Sequence, residues 1–144
     1  MKEERIKQLV DDKQLRAKNI DLPKSRSLLE SAEQLSEAAK KIPLSEQMAT
    51  IIFETIYTAL RQIGDSQWSN LGYEPRTHEA SLEILKEDNP IQFQHLDRFR
   101  IIRNDANYRG YKIRLEETQA ILSFWDSYGK PLLKKIKEKI EVTL

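Results

Sequence analysis

The sequence predicts an all-α fold, a four- to five-helix up-and-down bundle, and three observations carry that expectation. Leu, Ile, Glu, Lys, Gln and Ala dominate the 144 residues, and only 4 glycines and 5 prolines interrupt them; most of these residues are strong helix formers. Apolar side chains recur at three- and four-residue steps, the spacing of one buried helix face. The connections between such stretches are short, as between the neighbours of a bundle. No strand is expected.

Residues 1–24 read as an N-terminal short helix or arm, and 25–144 as the bundle. The arm carries Ile6, Leu9, Val10 and Leu15 among many charges, a small apolar payload for a docking segment. Leu22-Pro23 marks a break, because the residue before proline avoids helical angles. The first bundle helix covers about 25–41, with Leu28, Leu29, Ala32, Leu35, Ala38 and Ala39 on its inner face. Pro43 closes it. The second covers about 45–63; Met48, Ile51, Ile52, Thr55, Ile56, Ala59, Leu60 and Ile63 form a stripe wider than a surface helix needs. Such width marks the central element, or one that also meets a second subunit, and Gly64-Asp65 is read as its stop.

Residues 67–75 read as a loop holding Trp68 and Tyr73. Thr77 then caps a third helix of Ala80, Leu82, Ile84 and Leu85, ended by Asp88-Asn89-Pro90. A fourth covers about 91–107, with Phe93, Leu96, Phe99, Ile102 and Ala106 inward. The last starts near Glu116, and Gly129-Lys130-Pro131 inside its pattern predicts a kink or short break near Tyr128.

Composition excludes several function classes. With 24 basic and 23 acidic side chains the net charge is +1, so no global field attracts nucleic acid, and any such role must rest on a local patch. The absence of cysteine excludes disulfides, thiolate metal sites and cysteine nucleophiles. Two histidines, His78 and His95, argue against a histidine-rich metal site. No metal or cofactor is expected. The charged start Met1-Lys2-Glu3-Glu4-Arg5 shows no signal peptide, and no apolar run reaches the ~18 residues a membrane span needs. A cytoplasmic protein with no membrane partner is the simplest expectation.

The most informative stretch is 98–112, which gathers Arg98, Arg100, Arg103, Arg109 and Lys112 with Asn104, Asp105, Asn107, Tyr108 and Tyr111 around a helix end. Guanidinium forks match phosphate oxygens, and tyrosines offer stacking faces. The plainer reading is a solvated last turn whose basic side chains complement the helix dipole.

Arg103-Asn104 followed by Tyr108 is similar to the motif of the HEPN family, in which an arginine and a polar neighbour precede a histidine by four to six residues. The variant Arg103-Asn-Asp-Ala106-Asn-Tyr108 also resembles one subgroup of that family. A small-residue helix at 31–35, a long apolar helix at 49–60 and the run Gly72-Tyr73-Glu74-Pro75-Arg76-Thr77-His78 resemble the family's surroundings of the motif, over roughly residues 25–140. The resemblance implies a HEPN-like helical bundle that forms a homodimer, with the arginine segments of two subunits at a shared cleft. It implies an RNA- or nucleotide-binding protein, or a weak metal-independent ribonuclease of toxin-antitoxin or defence type. The alternative it implies is a non-catalytic dimeric subunit that binds a nucleotidyltransferase, an antitoxin or another protein.

In that frame Arg103, Asn104 and Tyr108 are the candidate catalytic residues, with Arg103 gripping phosphate, Asn104 orienting it and Tyr108 stacking or donating a proton. Arg103, Arg109 and Lys112 are the candidate phosphate- or nucleic-acid-binding residues. Tyr108 stands where the family has histidine. An ordinary tyrosine titrates near pH 10 and an ordinary histidine near 6.5, so Tyr108 is a poor general base. Asp105 is a substitute base, or else pairs structurally with Arg103. Residues five apart on a helix differ by roughly 140° about its axis. Arg103 and Tyr108 are therefore expected to meet only if the helix ends between them or a second subunit supplies one. His78 and His95 read as structural residues, to which a dimer would give a route to the cleft. Trp68, Trp125 and Tyr128 read as core or interface aromatics, and the lysines of 134–139 as a solvated face.

Overall fold

A computed structural model describes the backbone of residues 1–143 and the side chains of residues 1–141. Its helices are α1 (Glu3–Asp11), α2 (Leu22–Lys41), α3 (Ala49–Leu71), α4 (His78–Glu83), α5 (Pro90–Phe93), α6 (His95–Tyr108), α7 (Leu115–Phe124) and α8 (Lys130–Thr143). A 3-10 turn (Ile84–Glu87) continues α4, and a π-helical turn (Trp125–Gly129) joins α7 to α8. Two short strands, β1 (Leu15–Ala17) and β2 (Tyr73–Pro75), pair antiparallel in the register Leu15↔Pro75, Arg16↔Glu74 and Ala17↔Tyr73.

The expected four- to five-helix bundle is therefore corrected: with α5 running into α6 through Gln94 and α7 into α8 through the π turn, the described residues form 6 joined helical segments and a small antiparallel two-stranded sheet instead. Three-residue strands lie below the length at which period-two alternation becomes visible, and β1 shows one buried position followed by two exposed ones. Their pairing depends on segments far apart in sequence, brought together by α2 and α3.

α3 is the central rod. It packs on α2, α4, α6 and α7, and Ile52, Phe53, Ile56, Tyr57, Ala59, Leu60 and Ile63 are all at most 1% exposed. Burial on several sides explains the broad apolar stripe, although Ile51 within it faces outward. The expected stop at Gly64-Asp65 does not occur. α3 continues to Leu71 and ends at Gly72, whose left-handed backbone (φ 86°) caps it. Gly64 instead lets α4 approach: a Cβ there would lie 1.9 Å from the Ser81 carbonyl oxygen. The expected loop at 67–75 is likewise mostly the last turns of α3, and Trp68 is fully buried with Nε1 donating to the Ala80 carbonyl (2.8 Å).

Other boundaries follow local chemistry. Asp21 accepts from the Lys24 amide (3.0 Å) to cap α2, with Pro23 in its first turn, where no amide proton is needed. Asn89 caps α5 ahead of Pro90. The break expected near Tyr128 takes the form of the π turn, with Gly129 against the Trp125 ring.

The main core holds edge-to-face pairs Phe53–Phe99, Phe93–Phe124 and Phe99–Phe124, with centroids 5.4–5.9 Å apart. A second cluster joins Leu9 and Leu15 to Trp68, Ala80 and Ile84, so residues near the N-terminus cover the far end of α3 and α4. Arg5 fastens it by two bonds to Glu83 (2.6 Å each). No described helix is long and apolar enough to cross a membrane.

Candidate functional site

An open cleft of about 220 Å³ between α4 and α6 is lined by His78, Glu79, Arg100, Arg103, Asn104 and Tyr108, and α3 backs it through the contacts of Tyr57 and Arg61 with His78. Each helix brings its side chains there for a local reason. The Thr77 hydroxyl accepts from the Ala80 amide (3.1 Å), which starts α4 at His78 and turns that ring toward α3. Tyr57 and Arg61 lie four residues apart on α3 and so share a face. On α6, Phe99 and Ile102 enter the core, which leaves the flank of Arg100, Arg103, Asn104 and Asn107 beside the cleft.

His78 is held from both ring nitrogens. Nδ1 lies 3.2 Å from the Tyr57 hydroxyl, and Nε2 is contacted by the Arg61 guanidinium. A guanidinium only donates, so Nε2 accepts, and the ring proton sits on Nδ1 facing Tyr57. Burial, followed by the positive charges of Arg61, Arg103 and Arg100, pushes the imidazole down to about 4. Burial also pushes the Tyr57 phenol up to about 12, against the pull of the same three arginines. At neutral pH the centre is therefore a neutral histidine and a neutral phenol beside three permanent cations.

Those cations are incompletely balanced. Arg100 lies 3.4 Å from the exposed Glu79 carboxylate, and its Nε is buried without a partner. The Arg103 guanidinium sits 5.8 Å from the centroid of the Tyr57 ring, a cation–π arrangement. With the Asn107 amide turned to suit its neighbours, Asn107 accepts from Arg103 (2.8 Å) and donates to Glu54 (2.6 Å), so that carboxylate reaches Arg103 only through an amide. Neither Arg61 nor Arg103 pairs with a carboxylate among the described residues.

Arg103, Asn104 and Tyr108 thus line one cleft within one chain. α6 is unbroken through both Arg103 and Tyr108, and no contact between the two forms among the described residues. The cleft lies between them: Arg103 reaches it from the core-facing flank, Tyr108 from the outer one, and Arg100 and Asn104 lie in between. Tyr108 is 79% exposed, an open ring face at the mouth.

Arg109 and Lys112 are not brought into this cleft. Both are exposed beyond the end of α6, where Arg109 Nε stands 3.8 Å from Asp105. Asp105 accordingly does not pair with Arg103, and it does not line the cleft. The 109–114 connection is anchored by the Ile113 amide on Thr50 (3.2 Å) and the Tyr111 hydroxyl on Glu117 (2.7 Å). His95 also lies outside the cleft. Sequence reasoning missed Arg61 and the central position of His78, and left Arg100, within the basic stretch, without a role. No signal singled out Arg61, which falls outside the apolar stripe of its helix, about 100° around the axis from Leu60, and so reads as an ordinary solvated position.

No family model, no curated protein and no solved structure matches the chain. No group of three or more His, Asp or Glu side chains among the described residues is arranged to hold a metal ion.

Proposed function

We propose that the protein binds RNA or a nucleotide through the phosphate, at the cleft between α4 and α6 that α3 backs. One observation carries the reading: Arg61, Arg100 and Arg103 gather around His78, and of the three only Arg100 lies within ion-pair distance of a carboxylate among the described residues. Guanidinium groups in a partly buried setting are the side chains best suited to phosphate oxygens. Arg103 grips the phosphate, Asn104 orients it by hydrogen bonding, and Tyr108 stacks on a base at the exposed mouth. The order of HEPN-like motifs along the chain supports the same assignment. Ribonuclease action is the catalytic extension of this reading.

Incubation of the purified protein with mixed RNA in excess chelator, beside Arg103→Ala, tests both parts. Binding by wild type and a loss on the order of tenfold or more in the variant is expected, from charge-assisted hydrogen bonds to phosphate. Cleavage by wild type alone would add metal-independent nuclease activity. Equal RNA and nucleotide affinity in a folded Arg103→Ala protein would remove the reading.

A second reading rests on a separate observation. Ile101, 53% exposed, lies one turn from Asn104 and two turns from Tyr108 on α6. This exposed apolar rim favours a protein partner over the same cleft, whether a second copy, a nucleotidyltransferase or an antitoxin. Sedimentation of wild type and Ile101→Glu distinguishes the second copy: a dimer lost in the variant supports it, and a wild-type monomer removes it.

A further inference from the structure

The arrangement around His78 bears on which phosphate the cleft takes, an inference that rests on the phosphate-binding reading above. In the free protein the Arg61 guanidinium donates to His78 Nε2, while Nδ1 faces the Tyr57 hydroxyl. An anionic oxygen is a stronger acceptor for a guanidinium than a neutral imidazole is. A bound phosphate therefore draws Arg61 off the ring. Nε2 is then a bare lone pair beside an anionic oxygen, two acceptors facing each other with no proton between them. A proton taken from solvent onto Nε2 removes that conflict and converts the ring into a third donor.

The count of donors and charges is specific. Arg61 and Arg103 supply two guanidinium charges that no described carboxylate pairs, whereas Arg100 is engaged by Glu79. Together with a protonated Nε2 they set three cationic donor groups against the three non-bridging oxygens and double charge of a phosphate monoester, which leaves one positive charge over. A diester offers two such oxygens and a single charge. Of the other groups near His78, Tyr57 is neutral, Glu54 is held by Asn107, and Asp65, one turn along α3 from Arg61, accepts from the Ser81 hydroxyl (2.5 Å) while also feeling the Arg61 charge without forming an ion pair with it.

We propose that the cleft selects a terminal phosphate, on RNA or on a mononucleotide, and that the ligand binds with uptake of one proton on His78 Nε2. The low affinity of the free imidazole for a proton, set by its burial and the three arginines, leaves Nε2 unprotonated until the anion arrives.

Calorimetric titration of the full chain at pH 7.5, in two buffers of different ionisation enthalpy, tests this. The probes are adenosine 5′-monophosphate, a 5′-phosphorylated octaribonucleotide and the same oligomer with a 5′-hydroxyl, each against wild type and His78→Gln. The expected result is tighter binding of at least one phosphomonoester than of the 5′-hydroxyl oligomer. That binding takes up a proton in wild type, is absent or reversed in sign in His78→Gln, and weakens in wild type by up to ~10-fold per pH unit as pH rises. Preference for the monophosphate over the phosphorylated oligomer identifies a mononucleotide ligand, and the reverse identifies an RNA end. Binding without proton uptake, uptake that persists unchanged in His78→Gln, or equal affinity for the 5′-hydroxyl oligomer overturns the proposal and leaves the phosphate-binding reading in place. No binding of any probe by wild type overturns both.

Discussion

Two adjacent stretches of α3 face the same neighbour, α4, and are finished in opposite ways. Toward the C-terminal end, Gly64, Asp65 and Trp68 meet Ala80 and Ser81. There the backbones touch across Gly64, Ser81 donates to Asp65 at 2.5 Å, and Trp68 Nε1 reaches the Ala80 carbonyl at 2.8 Å. One to two turns earlier, Tyr57 and Arg61 meet His78, and the contact opens into a cleft with cations left over. The closed stretch pairs Asp65 and Trp68 within its own chain, although the buried side-chain oxygens of Gln62, Gln67 and Asn70 nearby on α3 find no partner. The open stretch places like charges together beside a neutral histidine, a cost to folding that a bound anion would relieve. A site of this kind is recognised by what its own chain leaves unmet.

Substitutions at the two ends should separate these roles. The largest effect is expected from Trp68→Ala, which removes the central ring of the second cluster and should cost about 3–5 kcal/mol. Thermal melts would show a fall on the order of 10 °C, at 2–4 °C per kcal/mol for a chain of this size. Gly64→Ala should follow, at ~3 kcal/mol, because its Cβ would collide with the Ser81 backbone and not with a side chain able to turn away. An unchanged melting temperature in that variant would mean that α4 does not sit where the close approach requires. At the open end the order inverts: Arg103→Ala should leave the melting temperature within a few degrees of wild type while phosphate affinity falls.

The smallest effect is a pH dependence at His78. Its folded value of about 4 lies below the ordinary histidine value of 6.5, so the unfolded chain binds the extra proton between those limits. The stability associated with the neutral ring is thus fully present above pH 6.5 and is lost as pH falls toward 4. Melting temperatures from pH 7 to 4 should drop less steeply in His78→Gln than in wild type. Parallel curves would show that the imidazole is not held neutral by its surroundings.

Much of the helical outline was legible in the sequence, since caps and apolar spacing are local. Thr77 caps its helix as read, and the π turn falls at the expected break near Tyr128. Gly64 was misleading for a physical reason. Glycine ends a helix when its backbone turns left-handed and permits close packing when the helix continues, and only the neighbour across the gap distinguishes the two. Here Gly72 takes the first role and Gly64 the second. β1 and β2 were invisible because three-residue strands carry too little pattern and pair across more than fifty residues of chain.

The sequence by itself determined that the chain is mostly helical, where some of its caps and breaks fall, and that arginine, amide and tyrosine are concentrated along one helix. These follow from backbone preferences and side-chain periodicity within a few turns. Only the tertiary structure decided that the arginines of α6 face Arg61 and a histidine from two other helices. It also decided that this histidine is neutral and accepts from Arg61, and that Arg109 and Lys112 stay outside. Those properties depend on distances between residues remote in sequence and on the water that packing excludes between them.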